Sequence, residues 1–138
     1  MTGLFMLDTN AVSAFMRGGN PHMDRKLSEI GEDRLVVSAI SHGETLYGLT
    51  MNPGARRLWA AADYLFRTVT ILDWTVDTSR RYGKLRAEMR RSGKTLQPLD
   101  MLIAAHALEA GATLVSRDRA SRHVPGLTVE DWTDLPAS

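Results

Sequence analysis

The sequence predicts a three-layer α/β/α domain with a mainly parallel central sheet, and three observations carry that reading. Short continuous apolar runs such as Leu4-Phe5-Met6-Leu7, Leu35-Val36-Val37 and Thr113-Leu114-Val115 lack polar alternation, as strands buried on both faces require. Helical stretches long enough for crossovers lie between them. One of these, Leu99 to Glu109, carries Met101, Leu102, Ile103, Ala104, Ala105, Ala107 and Leu108 and leaves almost no polar face, which predicts a buried helix. Alternation of this kind builds a parallel sheet covered on both sides.

In chain order, Leu4 to Leu7 is the first strand and Asp8-Thr9-Asn10 ends it. A helix is predicted over Ala11 to Met16, until Gly18-Gly19-Asn20-Pro21 breaks the chain. A second helix follows over Met23 to Ile30, then a strand over Leu35 to Val37 and a helix from about Ser41 to Met51. Asn52-Pro53-Gly54 stops it. Ala55 to Phe66 forms the next helix, and Val69 to Leu72 a short strand. Thr75 to Ser92 is amphipathic, with Tyr82, Leu85 and Met89 on one face and Arg80, Lys84 and Arg91 on the other. Pro98 opens the buried helix and Gly111 caps it. Leu127-Thr128-Val129 is predicted as a last edge strand.

A chain of 138 residues with 43% hydrophobic and 24% charged content is expected to form one globular domain over residues 1–138. The absence of cysteine removes disulfides, thiolate nucleophiles and cysteine zinc sites, and makes a reducing cytoplasm the expected setting. No stretch approaches the roughly 20 apolar residues of a membrane span. The opening Met1-Thr2-Gly3-Leu4 has no basic segment of a signal peptide. A net charge of +1 neither demands nor excludes nucleic acid.

Four carboxylates stand at strand–helix junctions: Asp8 after the first strand, Glu44 after the second, Asp100 at the start of the buried helix and Asp118 after Thr113-Leu114-Val115-Ser116. Crossover helices run antiparallel to the strands they join, so their first turns lie at the carboxyl edge of the sheet. All four groups are therefore predicted on that edge. Each alone suits a purely structural role. Asp8 suits a helix cap, Ser41-His42-Gly43-Glu44 matches a capping box, Asp100 favours a helix dipole and Asp118 suits an Asx turn. Capping, however, is served equally by Ser, Thr or Asn. Four ionised groups on one edge repel one another, and a divalent cation such as Mg²⁺ or Mn²⁺ removes that conflict through the oxygen ligands it prefers.

Four segments carry a family resemblance: Met6-Leu7-Asp8-Thr9-Asn10, Val37-Ser38-Ala39-Ile40 leading to Glu44, Asp100-Met101-Leu102-Ile103-Ala104-Ala105-His106-Ala107, and Ala112-Thr113-Leu114-Val115-Ser116-Arg117-Asp118. In order and spacing they resemble the signature segments of the PIN-domain ribonucleases. Within these the chain is similar to VapC-type toxins of bacterial type II toxin–antitoxin pairs, from Leu4 to Trp132. The resemblance implies Asp8, Glu44, Asp100 and Asp118 as the metal-binding and catalytic acidic set, with Thr9 and Ser116 as hydroxyl support. It further implies cleavage of a structured cellular RNA, a homodimer and inhibition by a small cognate antitoxin. Two positions depart from it: Arg117 stands where many relatives have Asn, and Ser121 where many have Phe, which predicts looser packing behind Asp118.

Other signals weigh less. Ser92-Gly93-Lys94-Thr95 resembles a P-loop ending, but Glu88 stands where the pattern needs glycine and a helix is predicted where it needs a strand. His106 is expected to be a hydrogen-bonded core or rim residue, not a ligand. Arg117 and Arg119 beside the acidic edge are candidate RNA phosphate contacts, whereas the Arg80, Lys84 and Arg91 stripe suits a solvated face. Trp59, Tyr64, Leu65 and Phe66 are expected mostly in the core, and an antitoxin is expected to touch Phe15, Met16 and Trp59. The function expected is a metal-dependent endoribonuclease using metal-activated water. Two alternatives stay open: an acidic-site phosphatase on small phosphorylated molecules, for which Asn10 replaces a second aspartate, and an inactive PIN-like binding module.

Overall fold

The computed structural model describes residues 3–133; Met1 and Thr2 of the opening segment lie outside them. The elements run β1 (Leu4–Leu7), α1 (Thr9–Arg17), α2 (Pro21–Ile30), β2 (Leu35–Ser38), α3 (Ala39–Thr50), α4 (Arg56–Thr68), β3 (Thr70–Leu72), α5 (Val76–Arg91), α6 (Pro98–Ala110), β4 (Ala112–Val115) and β5 (Val129–Glu130). Short 3₁₀ turns occupy Glu32–Arg34 and Arg119–His123. The strands form one sheet in the order β3-β2-β1-β4-β5, and every pairing is parallel. β1 is thus the central strand.

Strand side chains alternate between faces, and register turns that alternation into two cores. Leu7 stands opposite Val37 and Val115, and these three share a core with Val12 of α1 and Leu65 of α4. Met6 stands opposite Val36 and Leu114 and packs on the other face with Ile103 and Ala107 of α6. Leu85 and Met89 of α5 continue that layer against Met101, Ala104 and Ala105. Helices therefore cover both faces of a sheet whose central strand is apolar from Leu4 to Leu7, giving the three layers expected.

Helix starts differ from expectation at two of the four junctions. Asp8 itself caps α1, its side chain accepting from the Ala11 amide at 2.8 Å, so the helix begins at Thr9 instead of Ala11. Ser38, not Ser41, caps α3: its hydroxyl accepts the Ile40 amide at 3.1 Å. Both serines have the chemistry of a cap, but Ser38 is still in extended conformation at the end of β2, so the helix starts without an intervening loop. The capping box expected at Ser41 and Glu44 does not form. Ser41 is fully buried inside α3, which frees Glu44 for another partner. At the far end of α6, Gly111 takes the left-handed conformation with φ 67, which a side chain would resist. Ser92 and Gly93 merely end α5.

The charged stripe on α5 is solvated, with Arg80 exposed and paired to Asp77. Leu65 is core, whereas Tyr64 is 62% and Trp59 37% exposed, so the outer helix keeps aromatic surface where the sequence pattern predicts burial. Among the described residues no helix is long and apolar enough to cross a membrane.

The chain closes over the sheet with Trp132. Its ring lies 5.5 Å from that of Phe5, its Nε1 donates to Glu130 at 2.9 Å, and it is 1% exposed. Trp132→Ala is expected to cost about 3–5 kcal/mol, as truncation of a buried aromatic does, and urea unfolding of the two proteins measures it.

Candidate active site

β1 and β4 end side by side, Leu7 opposite Val115, and the Asp8 amide donates to the Val115 carbonyl at 3.1 Å. Asp8 consequently emerges at the middle of the carboxyl edge and is 5% exposed. Asp118 follows β4 on the same edge, half-buried, and forms the expected Asx turn by accepting from the Ala120 amide at 3.1 Å. Asp100 sits in the first turn of α6 and Glu44 in the second turn of α3, both half-buried.

Hydroxyls tie these groups together. Thr9 donates to Glu44 Oε1 at 2.7 Å, joining residues from α1 and α3. The Ser116 hydroxyl accepts the Asp118 amide at 3.0 Å and favours the charged form of the Asp8 carboxylate. One small side chain thus acts on two of the four acids.

The carboxylates are close enough to sense each other. Burial pushes the Asp8 carboxyl from 3.8 up to about 6, with the charges of Asp100 and Asp118 adding to the rise and the Ser116 and Ala11 hydrogen bonds opposing it. Asp100 is also raised, first by burial and then by Asp118 and Glu44. Among the described residues no three acids close into a ready-made coordination cage. The donor set still fits a hard divalent cation. Asp8, Asp118 and Glu44 each spend one named oxygen on a protein hydrogen bond, leaving a second, and Mg²⁺ keeps several waters when carboxylates hold it.

His106 is a positioning residue whose partner the sequence does not reveal. It is 1% exposed, its Nδ1 lies 2.7 Å from Ser38 Oγ, and its ring stands edge-on to Trp74 at 5.4 Å. The same Ser38 hydroxyl accepts the Ile40 amide, so it joins the head of α3 to the imidazole. Burial pushes the His106 pKa down and favours the neutral ring. The bond fixes the start of α3, which carries Glu44, against α6, which carries Asp100. No local sequence signal links residues 68 positions apart.

Arg117 and Arg119 are beside Asp118 and line an open cleft of about 790 Å³. Ser121 is 2% exposed, and its amide donates to the Asp118 carbonyl at 3.2 Å, so the turn packs closely despite the small side chain. Of the candidate partner contacts, Trp59 is partly exposed, and Phe15 is half-buried and stacked on Tyr64 at 6.4 Å. Met16 is 8% exposed and belongs to the core; the apolar pattern of α1 turns it toward the sheet.

Comparison with known proteins gives a consistent picture. The family model described as PIN domain matches residues 5–127. The chain is 30% identical over 129 residues to the tRNA(fMet)-specific endonuclease VapC of Salmonella typhimurium, covering 93% of this chain and 97% of that one. It is 27% identical over 131 residues to Ribonuclease VapC2 of Rickettsia felis, covering 94% and 98%. Among solved structures, the DNA-bound VapBC of Salmonella typhimurium superposes with a TM-score of 0.87 at 28% identity, over 95% of this chain and 99% of that chain.

The raised Asp8 carboxyl has a measurable consequence for the metal-free protein. Its folded pKa lies above the unfolded value, so its contribution to stability is full below 3.8 and is lost as pH rises through about 6. At pH 7.5 the ionised group costs the fold up to roughly 3 kcal/mol. Asp8→Asn, which keeps a capping oxygen, is therefore expected to stabilise the protein in EDTA at pH 7.5, with the gain shrinking toward pH 4. Urea unfolding at both pH values checks this, and a gain independent of pH would show that the Asp8 charge carries no burial cost.

Proposed function

The chain belongs to the PIN-domain family, and from that premise we propose that it is an endoribonuclease, the toxin of a toxin–antitoxin pair, acting in the cytoplasm as a single PIN domain over residues 1–138. The observation that carries this reading is the convergence of Asp8, Glu44, Asp100 and Asp118 from four separate segments onto one edge of the sheet, with the Asp8 and Asp100 carboxyls raised first by burial and then by the neighbouring acids. The names of the VapC relatives, a tRNA(fMet)-specific endonuclease in Salmonella typhimurium and a ribonuclease in Rickettsia felis, support the same substrate class.

Asp8, Glu44, Asp100 and Asp118 would hold one or two Mg²⁺ or Mn²⁺ ions, directly or through water. A bound ion supplies a water of lowered pKa and offsets charge that develops on the phosphate. The protein's own groups do the rest. Asp8 is held by the Ala11 amide, Glu44 by Thr9, and the Ser38–His106 bond keeps α3 and α6 in register, while Ser116 favours the charged form of Asp8. Thr9 and Ser116 thereby orient carboxylates instead of touching substrate. Arg117 and Arg119, which line the cleft beside the acidic edge, would bind phosphate oxygens of the RNA, since guanidinium forks match phosphate geometry.

The partner is a small antitoxin, as the VapBC assemblies of the relatives suggest, and the toxin itself acts as a homodimer. Leu46, Tyr47 and Met51 on α3 and its end, with Trp59 and Tyr64 on α4, are exposed and offer apolar anchors for such a partner. An arginine from it, entering among the four carboxylates, would replace the charge of the cation.

Two experiments test the reading. Purified wild type should cleave structured RNA with Mg²⁺ or Mn²⁺ and lose the activity in EDTA, while Asp8→Asn and Asp100→Asn should fall by at least about 100-fold and remain folded. Near-normal cleavage by either variant would remove its residue from the catalytic set, and hydrolysis of a chromogenic phosphomonoester in place of RNA would favour the phosphatase. Expressed alone in a bacterium, the wild type should arrest growth, and co-expression of the neighbouring small open reading frame should relieve the arrest. Equal harmlessness of wild type and Asp8→Asn at equal soluble levels would overturn the toxin assignment.

A further inference from the structure

The cleft beside the acidic edge is bounded by the C-terminal end of α1 and the turn after β4. We propose that it binds the phosphodiester backbone of the RNA beyond the scissile phosphate, through Arg17, Arg57, Arg122 and His123. The inference rests on the ribonuclease reading and extends its substrate contacts past the two arginines that flank Asp118.

Position is the first argument. Arg17 lines this cleft together with Arg117, Arg119 and Arg122. It also lines the smaller recess of about 240 Å³ that contains Thr9 and Glu44. A strand laid along the carboxylate edge therefore passes into the large cleft without leaving the protein surface. Charge is the second. Arg17, Arg117, Arg119 and Arg122 form no ion pair among the described residues, whereas Arg67 and Arg80 on α4 and α5 do. The acidic group in the lining is Asp131, and its Oδ1 already accepts from the Thr133 amide and hydroxyl at 2.8 and 2.6 Å. Clustered guanidinium groups repel one another, and a polyanion that spans them relieves this.

The lining decides between nucleic acid and a protein segment. Beside the basic residues it holds Ala14, Gly18, Gly19 and Asn20, with no large apolar side chain to anchor a peptide. Those anchors lie on α3 and α4. At Gly18, φ is 72 and an added Cβ would come within 3.3 Å of Arg57 Nη2. Glycine there both makes the turn and lets a further guanidinium reach the cleft wall. Small residues between basic ones leave the backbone of a ligand room to approach, as phosphate–sugar contacts need.

The test uses the full chain. In an Asp8→Asn background, binding of fluorescein-labelled bulk bacterial tRNA is measured against salt for Arg17→Gln/Arg122→Gln, with Arg67→Gln and Arg80→Gln as controls. Each lost phosphate contact should reduce the slope of log affinity against log salt by about 0.7 to 0.9, while the controls leave it unchanged. In the active background the double variant should raise KM for RNA and leave kcat near the wild-type value, since the lost contacts are uniform binding. Arg57→Gln, on a different helix, should repeat the effect if the double variant proves unfolded by circular dichroism. An unchanged slope and KM, with wild-type cleavage intact, would overturn the cleft proposal alone. Absence of RNA cleavage by wild type together with absence of salt-dependent binding would instead bring down the ribonuclease reading. Retained RNA binding with loss of co-purification of the neighbouring small open reading frame's product would assign the cleft to the protein partner and overturn the RNA proposal.

Discussion

A carboxylate buried at the end of the central strand is the constraint around which this edge of the fold is arranged. β1 lies between β2 and β4, so the residue that follows it emerges at the middle of the edge, where helices from both layers crowd it. Asp8 is that residue. An ionised group so placed is unfavourable without partners, and the surroundings are built to supply them. One Asp8 oxygen accepts the Ala11 amide and Ser116 favours the charged form, yet burial first, and the charges of Asp100 and Asp118 after it, leave the group with an elevated affinity for protons. Under the proposed reading a doubly charged ion would offset that cost.

Bonds between elements hold the surroundings of the other acids. Thr9 reaches from α1 to Glu44 on α3. Ser116, at the end of β4, accepts the amide of Asp118. His106 locks the head of α3 to α6 through Ser38. Because these bonds join different helices and loops, the spacing of the carboxylates is a property of the packed layers and not of any single loop. Sites supported by buried cross-element bonds keep their geometry better than sites carried by loops alone.

Strands and the direction of the sheet were legible because short continuous apolar runs such as Leu4 to Leu7 and Leu35 to Val37 fit little besides a strand covered on both faces. The four acids were legible for a related reason: a strand end fixes an edge, and the edge fixes their meeting place. Misreadings came where local chemistry was degenerate. Ser38 and Ser41 are both capable caps, and only the point at which β2 stops selects between them. Tyr64 and Trp59 sit on the apolar-looking face of a helix whose exposed side depends on what the neighbouring helices cover. The link from Ser38 to His106 and the approach of Arg57 to Gly18 join residues far apart in the chain, and such pairs leave no mark on local pattern.

The bond from the Asp8 amide to the Val115 carbonyl makes the first acid a continuation of the β1–β4 ladder. Its amide therefore exchanges hydrogen with solvent only when the middle of the sheet opens, which in a small domain approaches the free energy of global unfolding. Asp118 is different: it follows β4 at the head of a five-residue 3₁₀ turn and is held by local bonds from the Ala120 and Ser121 amides, not by the sheet. The acidic edge thus joins one acid whose backbone opens with the sheet to another whose backbone belongs to a turn, so hydrogen exchange at the two positions reports two different opening events.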